Sequence, residues 1–218
     1  SPEAGRWSGL LKTLSACSPL TSAVKGQHAE IVRLLLDAGA NPNVAESYGP
    51  AGLLWTESPL RAAVEDPPRT NDGKDVDDAI VRLLLEKGAD PNTGGTYGPL
   101  GSILRTSCLA AAVEDPAKAA IVGVLLEAGA SASWGWSAGP LGLLGRGSLM
   151  YHAAERSPEI FDRLTTAGAS YRAGLDAGPF GLLMHSSCLR AAAHAGHLSV
   201  AAALLEKGAE VGVGLRCG

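Results

Sequence analysis

Apolar residues recur along this chain at the spacing of short amphipathic helices, and stretches rich in glycine and proline separate the helices in pairs. In the first pair, Leu20 and Ala23 are three positions apart, and Leu34 and Leu35 follow Ile31 by three and four positions. This spacing puts apolar side chains on one face of a helix. The pattern therefore predicts two consecutive helices, with these residues on their buried faces.

Residues at the ends of this first helix pair fit the same prediction. Ser18 can act as an N-cap, because its hydroxyl accepts a backbone N–H, and Pro19 suits the first helical position, because it has no N–H to donate. Gly39 follows the second helix, and a glycine in the left-handed conformation ends many helices. We therefore expect the pair to begin after Ser18 and to end before Gly39.

The stretch after each helix pair is the strictest repeat in the chain. It occupies residues 39–60, 88–109, 129–150 and 168–189. In every copy a Gly-Pro pair begins ten residues after the first glycine, and a serine lies two residues before the closing Leu or Met. Such strict repetition indicates a stacked array, because each unit needs its neighbours to bury its apolar face.

The first unit carries the signature of a known family. From Ser18 to Asn43 it reads SPLTSAVKGQHAEIVRLLLDAGANPN. This segment closely resembles an ankyrin repeat, and the resemblance extends over residues 18–212. Ankyrin units recur about every 33 residues, whereas Leu20 and Leu60 are 40 positions apart. The surplus lies in the connection between units, which forms a projecting β-hairpin finger in ankyrin proteins.

The resemblance implies an all-α fold, an ankyrin-repeat α-solenoid of five stacked helix-turn-helix units with long finger loops. The domain would span residues 18–218, and a capping helix over residues 1–17 would cover its first unit. His28 and His197 occupy the family's Gly-His position, where the ring would hydrogen-bond to the backbone of a neighbouring loop. The units are expected to start near Ser18, Ser58, Ser107, Ser148 and Ser187.

Composition narrows the classes of function. The chain has 218 residues, of which 46% are hydrophobic, and this is enough for a sizeable core. Its net charge of −4 disfavours nucleic acid as a partner. The sequence contains no run of 18 apolar residues, so we expect no membrane span. The spacing of the four cysteines favours free thiols in a reducing compartment. We therefore expect an intracellular protein, cytoplasmic or nuclear.

No catalytic or metal-binding motif is present in the sequence. GxSxG, HExxH, a phosphate-binding loop ending in Lys-Ser/Thr and paired CxxC motifs are all absent. We therefore assign no catalytic residues, no metal ligands and no cofactor from sequence.

Candidate binding residues come from the resemblance. Ankyrin proteins commonly bind partners through the two variable residues after the Ala-Ala pair of the inner helix, which face the concave groove. Stacking would bring the carboxylates of Glu65, Asp66, Glu114 and Asp115 into one acidic patch. Two interpretations stay open, namely solvated charges that merely end a helix and a patch that steers a basic partner segment. These candidates are Glu65, Asp66, Glu114, Asp115, Glu155, Arg156 and His194.

A second group of candidates lies on the fingers and at the helix starts. Aromatic residues of the fingers could anchor a partner or pack over the finger turns, and both alternatives stay open. Arg61 and Arg190 stand where the family has histidine after Pro-Leu, and His185 follows the last finger. The aromatic candidates are Tyr48, Trp55, Tyr97, Trp134 and Trp136.

These residues predict a non-catalytic module that binds a protein or peptide, with a basic segment as one candidate partner, in its concave groove. The alternative is an enzyme or a small-molecule-binding protein whose pocket is walled by the fingers. An open groove with dispersed charges would favour the module, whereas convergence of histidine and carboxylate would favour the enzyme. The candidates for that second site are His152, His185, His194, Glu114, Glu155 and Arg190.

Overall fold

A computed structural model describes most of the chain. The described residues are 18–48, 55–67, 77–98, 103–133, 135–139, 144–172, 174–177 and 184–211. The expected capping helix over residues 1–17 lies outside them. The described helices are α1 (Pro19–Lys25), α2 (Ala29–Asp37), α3 (Pro59–Glu65), α4 (Ala79–Glu86), α5 (Cys108–Val113), α6 (Ala119–Glu127), α7 (Leu149–Arg156), α8 (Pro158–Thr166), α9 (Cys188–Ala195) and α10 (Leu198–Glu206).

The odd-numbered helices begin as the sequence predicts. The Ser18 hydroxyl accepts the Thr21 backbone N–H at 3.1 Å, with Pro19 in the first turn. Gly39 follows the second helix with a φ of +88°, a conformation that costs glycine little. Both end predictions for the first pair are confirmed. The serine N-cap recurs in α3, α5, α7 and α9, at Ser58, Ser107, Ser148 and Ser187.

The helices form two layers around one apolar core. The odd-numbered helices pack side by side in one layer and the even-numbered helices in the other, and each pair also packs together. Leu20 and Ala23 of α1 are buried, as the spacing predicts. We call the odd-numbered layer the inner layer, because it faces the sheet across the cavities described below.

The predicted buried face of α2 is wrong at Ile31 and Leu34. These side chains are 48% and 68% exposed. The residues at the same positions of α4, Ile80 and Leu83, are buried because α2 and α6 flank that helix. Ile31 and Leu34 therefore lie on the terminal face of the stack, which no other described helix covers.

The described residues between the helix pairs include short strands. They form one eight-stranded antiparallel sheet whose strand order follows the chain. The strands are β1 (Glu46–Tyr48), β2 (Trp55–Glu57), β3 (Gly94–Tyr97), β4 (Leu104–Ser107), β5 (Trp136–Ala138), β6 (Gly145–Gly147), β7 (Leu175–Ala177) and β8 (Met184–Ser186).

This sheet overturns the expected fold class, so the all-α solenoid of five units with finger loops is wrong. The physical reason is backbone hydrogen bonding. Each finger forms a hairpin, such as β1 with β2, and its second strand pairs with the first strand of the next finger, as β2 does with β3. A run of short hairpins thereby satisfies backbone groups that isolated loops would leave to water.

Strand register decides which finger side chains face the helices. Tyr97 of β3 pairs with Leu104 of β4, and Thr106 of β4 pairs with Trp136 of β5. Alternate residues of a strand face the same side, so these four side chains share one face of the sheet. That face borders the cavity between the sheet and the inner layer.

Candidate functional site

A cavity of about 720 Å³ lies between the inner layer and the sheet. Helices α3, α5 and α7 and the turn after α5 line one side, and strands β3, β4 and β5 line the other. We call it the central cavity. Its lining combines two aromatic rings with three cations and three carboxylates, which belong to Tyr97, Trp136, Arg61, Lys118, Arg156, Glu65, Glu114 and Asp115.

Arg61 lies at the back of this cavity and joins helix α3 to the sheet. Only 5% of the residue is exposed. Its Nη1 donates to the Ser107 carbonyl oxygen at 3.4 Å, and its Nη2 forms an ion pair with Glu65 one turn along the helix. The guanidinium also passes over Gly95, since a Cβ there would lie 3.6 Å from Nη1. Arg61 is therefore a structural support of the cavity wall.

Glu65 is fixed at the point where several elements meet. Its Oε1 accepts from Arg61 and from the Tyr97 hydroxyl, the latter at 3.2 Å. Burial alone would raise the pKa of Glu65, but the charge and hydrogen bond of Arg61 outweigh it and lower the pKa. Glu65 is therefore held as a carboxylate and holds Tyr97 in position.

A second cavity, of about 370 Å³, adjoins the central one and shares Glu65 and Tyr97 with it. We call it the side cavity. Lys25 of α1 pairs with Glu57 of β2 there, with 2.7 Å between Nζ and Oε2. Burial raises the pKa of Glu57, and a hydrogen bond with Glu65 adds to that rise. Trp55 and Asp66 complete the charged and aromatic lining.

Lys118 enters the central cavity from the short 3₁₀ turn Pro116–Lys118. Asp115 caps this turn, and its Oδ1 accepts the Ala117 backbone N–H at 3.0 Å. The Lys118 Nζ donates to the Glu65 carbonyl oxygen at 2.8 Å. Arg156 similarly donates to the carbonyl oxygen of Glu114 at 2.9 Å. Both cations therefore bind main-chain oxygens of the neighbouring unit.

Trp136 forms the opposite wall of the central cavity, where β6 leaves room for its indole. A Cβ on Gly147 would lie 2.2 Å from the indole Nε1, and a Cβ on Gly145 would lie 3.4 Å from the ring. The Nε1 donates to Nε2 of His152 on α7 at 2.8 Å. The two glycines and His152 thus set the place of the indole.

His152 is tied to this support rather than exposed to a substrate. Because its Nε2 accepts from Trp136, the neutral ring carries its proton on Nδ1. That Nδ1 is buried and has no hydrogen-bond partner among the described residues. Burial lowers the pKa of His152, which favours the neutral ring that Trp136 requires.

The structure brings most of the candidates together. The central cavity gathers two finger aromatics, three helix residues and two residues that follow α5, namely Tyr97, Trp136, Arg61, Glu65, Arg156, Glu114 and Asp115. Trp55 and Asp66 line the side cavity. Glu155, Arg190 and His194 line neither cavity. Trp134 and the side chains of Tyr48 and His185 lie outside what the structure describes.

Sequence reasoning missed Glu57 and Lys118. Glu57 and Thr106 lie in the fingers, and the sequence alone does not give the strand register that decides which side of the sheet their side chains face. Lys118 lies in the turn between two helices, and the extra residue of this unit between its two helices was the one available signal. Three of the four carboxylates of the predicted patch share the central cavity with the cations of Arg61, Lys118 and Arg156, and the fourth, Asp66, lines the side cavity.

Two further properties concern the described residues alone. No three His, Cys, Asp or Glu side chains among them are grouped in a way that could hold a metal ion. None of the helices in this part of the chain has the length and apolar character needed to cross a membrane.

Comparison with known proteins supports the family resemblance. The ankyrin repeat family model matches residues 17–47 and 184–214, which include the first and the last helix pair. No curated protein matches the chain. The two matches, together with the capped helix pairs that stack between them, support an ankyrin repeat protein.

Proposed function

We propose that this chain is a non-catalytic module that binds a protein or peptide between its inner helices and its sheet. Ankyrin repeats generally serve as protein–protein interaction modules. Within the proposal, the 40-residue spacing and the long fingers define a variant unit whose strands provide the second wall of the binding site. The binding surface consists of the central and side cavities, which together form what we call the groove.

The observation that carries this proposal is the continuity of the two cavities. They share Glu65 and Tyr97, so the groove runs from Trp55 on β2 to Trp136 on β5. Its aromatic walls are of the residue types that commonly anchor interfaces. Tyr97 and Trp136 are each held by a hydrogen bond, so little side-chain entropy would be lost on binding.

The charge of the groove bears on the partner. Glu57, Glu65 and Asp66 outnumber Lys25 in the side cavity, which supports the expected basic segment at this end. The central cavity is balanced between cations and carboxylates. We therefore propose a polypeptide that places a basic side chain in the side cavity and continues past Tyr97.

The intracellular location belongs to the same proposal. Cys108 and Cys188 are buried thiols that form no disulfide in the described part of the chain. This is what a protein of a reducing compartment would show.

Panning a random 12-residue peptide library on the immobilised chain tests the proposal. We expect enriched peptides that bind the wild type and lose at least about tenfold in affinity against Trp136→Ala. Leu198→Ala is the matched control, because that side chain is 83% exposed on α10 and far from the groove in sequence and layer. Circular dichroism would establish that both variants are folded.

Two results would contradict the proposal. One is the failure of any peptide to enrich, and the other is enriched peptides that bind Trp136→Ala as tightly as the wild type. Co-purification of a small molecule that Trp136→Ala releases would instead assign the central cavity to a small-molecule ligand.

A further inference from the structure

The ammonium group of Lys118 is a largely buried charge of the central cavity. The residue is 8% exposed. Within the described part of the chain its Nζ makes one hydrogen bond, to the Glu65 carbonyl oxygen, although an ammonium group has three N–H donors. Among the described residues, no carboxylate lies within ion-pair distance of it. Lys118 can therefore donate two further hydrogen bonds.

The surroundings only partly offset the burial of this charge. Burial lowers the pKa of Lys118, and Arg61 lowers it further, whereas the carboxylates of Asp115, Glu65 and Asp66 act in the opposite direction. The net shift is downward. An anionic group in contact with Nζ would stabilise the charged form, since a buried charge is costly unless it is paired.

The neighbouring side chains restrict which anion fits. Arg156 also forms no ion pair among the described residues, and it lines the same cavity. The carboxylates of Glu114 and Asp115 lie in that lining too, and they would repel a dianion such as phosphate more strongly than a single carboxylate. A singly charged anion carried by a polypeptide suits this mixture of charges, because backbone N–H groups of that polypeptide can donate to the carboxylates of Glu114 and Asp115.

The size and walls of the cavity favour an amino-acid side chain as the carrier of that monoanion. The floor between Tyr97 and Trp136 is formed by Leu104 and Thr106 of β4. Two strand spacings separate β3 from β5, which is about 10 Å. A peptide segment with one side chain directed at Lys118 fits between the two rings.

We propose that the central cavity binds an aspartate or glutamate side chain of a partner polypeptide, with its carboxylate on Lys118. This inference rests on the proposed function and specifies the chemistry of the partner. The same segment can present a basic side chain to the carboxylates of the side cavity, so the bound motif combines both charges.

The peptide library separates the two proposals. If the inference is correct, peptides enriched on the wild type share an acidic residue at one position, and peptides enriched on Lys118→Met do not. Lys87→Met is the matched control. It removes the same charge from an exposed lysine that pairs with Asp37 in the second helix layer, and it should preserve the acidic position.

A double-mutant cycle then measures the contact itself. We expect the change from Glu to Gln, or from Asp to Asn, in an enriched peptide to weaken binding to the wild type by about 10- to 100-fold, as for hydrogen bonds to charged groups. Binding to Lys118→Met should change little with the same peptide pair. Lys118→Arg should retain most of the preference.

Each outcome decides one proposal. Peptides that bind through Trp136 but carry no acidic position, or that show no coupling to Lys118, would overturn the inference and leave the binding module standing. Failure of every peptide would overturn the module itself. Should Lys118→Met not fold, the peptide pair measured on the wild type still tests the inference, because an unchanged affinity contradicts it.

Discussion

Three of the four hairpins have a glycine at the start of their first strand or directly before it, whereas the first hairpin has Ala45 at the corresponding position. Replacing one of these glycines should measure how much its hairpin contributes to stability. Gly94, Gly135 and Gly174 lie six residues after the glycine that ends each second helix. A Cβ on any of them would lie 2.0 Å from a carbonyl oxygen of the partner strand. For Gly135 that oxygen belongs to Gly147. At these three positions even an alanine would therefore force the paired strands to shift locally.

The cost of Gly135→Ala follows from this distance. Ordinary van der Waals contact begins at 3.4 Å, so β5 and β6 would have to separate by about 1.4 Å locally. A hydrogen bond lengthened by that amount is lost, at about 1 kcal/mol each, and forced overpacking adds about 1–3 kcal/mol. We expect Gly135→Ala to lower the free energy of unfolding by about 2–4 kcal/mol.

Thermal and urea unfolding followed by circular dichroism measure this effect. For a chain of this size the loss corresponds to a fall in Tm of about 5–15 °C. Gly123→Ala is the matched control, because Gly123 lies inside α6 and its Cβ would meet only the flexible end of Arg163. Removing a glycine from a helix should stabilise the protein by up to about 1 kcal/mol. Equal effects of the two substitutions would refute the reasoning.

Three further predictions concern the site and its buried groups. Gly147→Ala should displace the Trp136 indole, whose Nε1 lies 2.2 Å from the added Cβ; an unchanged indole N–H signal in NMR would contradict this. Glu57→Gln should stabilise the protein at pH 7, because the raised pKa of Glu57 makes its ionisation unfavourable in the fold. That gain should vanish as the pH falls through the folded pKa towards the unfolded one, and a gain independent of pH would exclude the mechanism. Burial raises the pKa of the Cys108 and Cys188 thiols to about 11, so in a Cys17→Ser, Cys217→Ser background neither should react with a disulfide reagent at pH 8 before unfolding. Rapid labelling of the native protein would show that these thiols are accessible.

The helices were predictable because their signals are local. A serine cap, proline in the first turn and a closing glycine act within a few residues, and the structure places Ser18, Pro19 and Gly39 as expected. His197 contacts the backbone of the neighbouring unit as expected, with its Nδ1 3.0 Å from the Ala154 carbonyl oxygen, but that oxygen belongs to helix α7 rather than to a loop. That expectation came from the family resemblance, which implies contacts between units that local sequence signals do not encode.

The sheet and half of the groove were not predictable in the same way. Each strand has three or four residues, too few for alternation of apolar and polar residues to stand out. The pairing of Thr106 with Trp136 joins residues 30 positions apart, and no local pattern encodes it. The burial of Ile31 and Leu34 was predicted wrongly for a related reason. Their spacing is that of buried helix residues, but no described element packs against that side of α2.

The groove has its present position because the side chains at equivalent strand positions differ between the hairpins. The inner helices all begin with a serine N-cap, so their backbone framework repeats from unit to unit. Only one hairpin combines a tryptophan with the partner sequence Gly-Arg-Gly, where Trp136 lies over Gly145 and Gly147. At the corresponding positions of β4, Leu104 and Thr106 are too large to leave that space, and they form the cavity floor instead. Substitutions on the strands should therefore move or reshape the groove along the array without disturbing the helix pairs that support it.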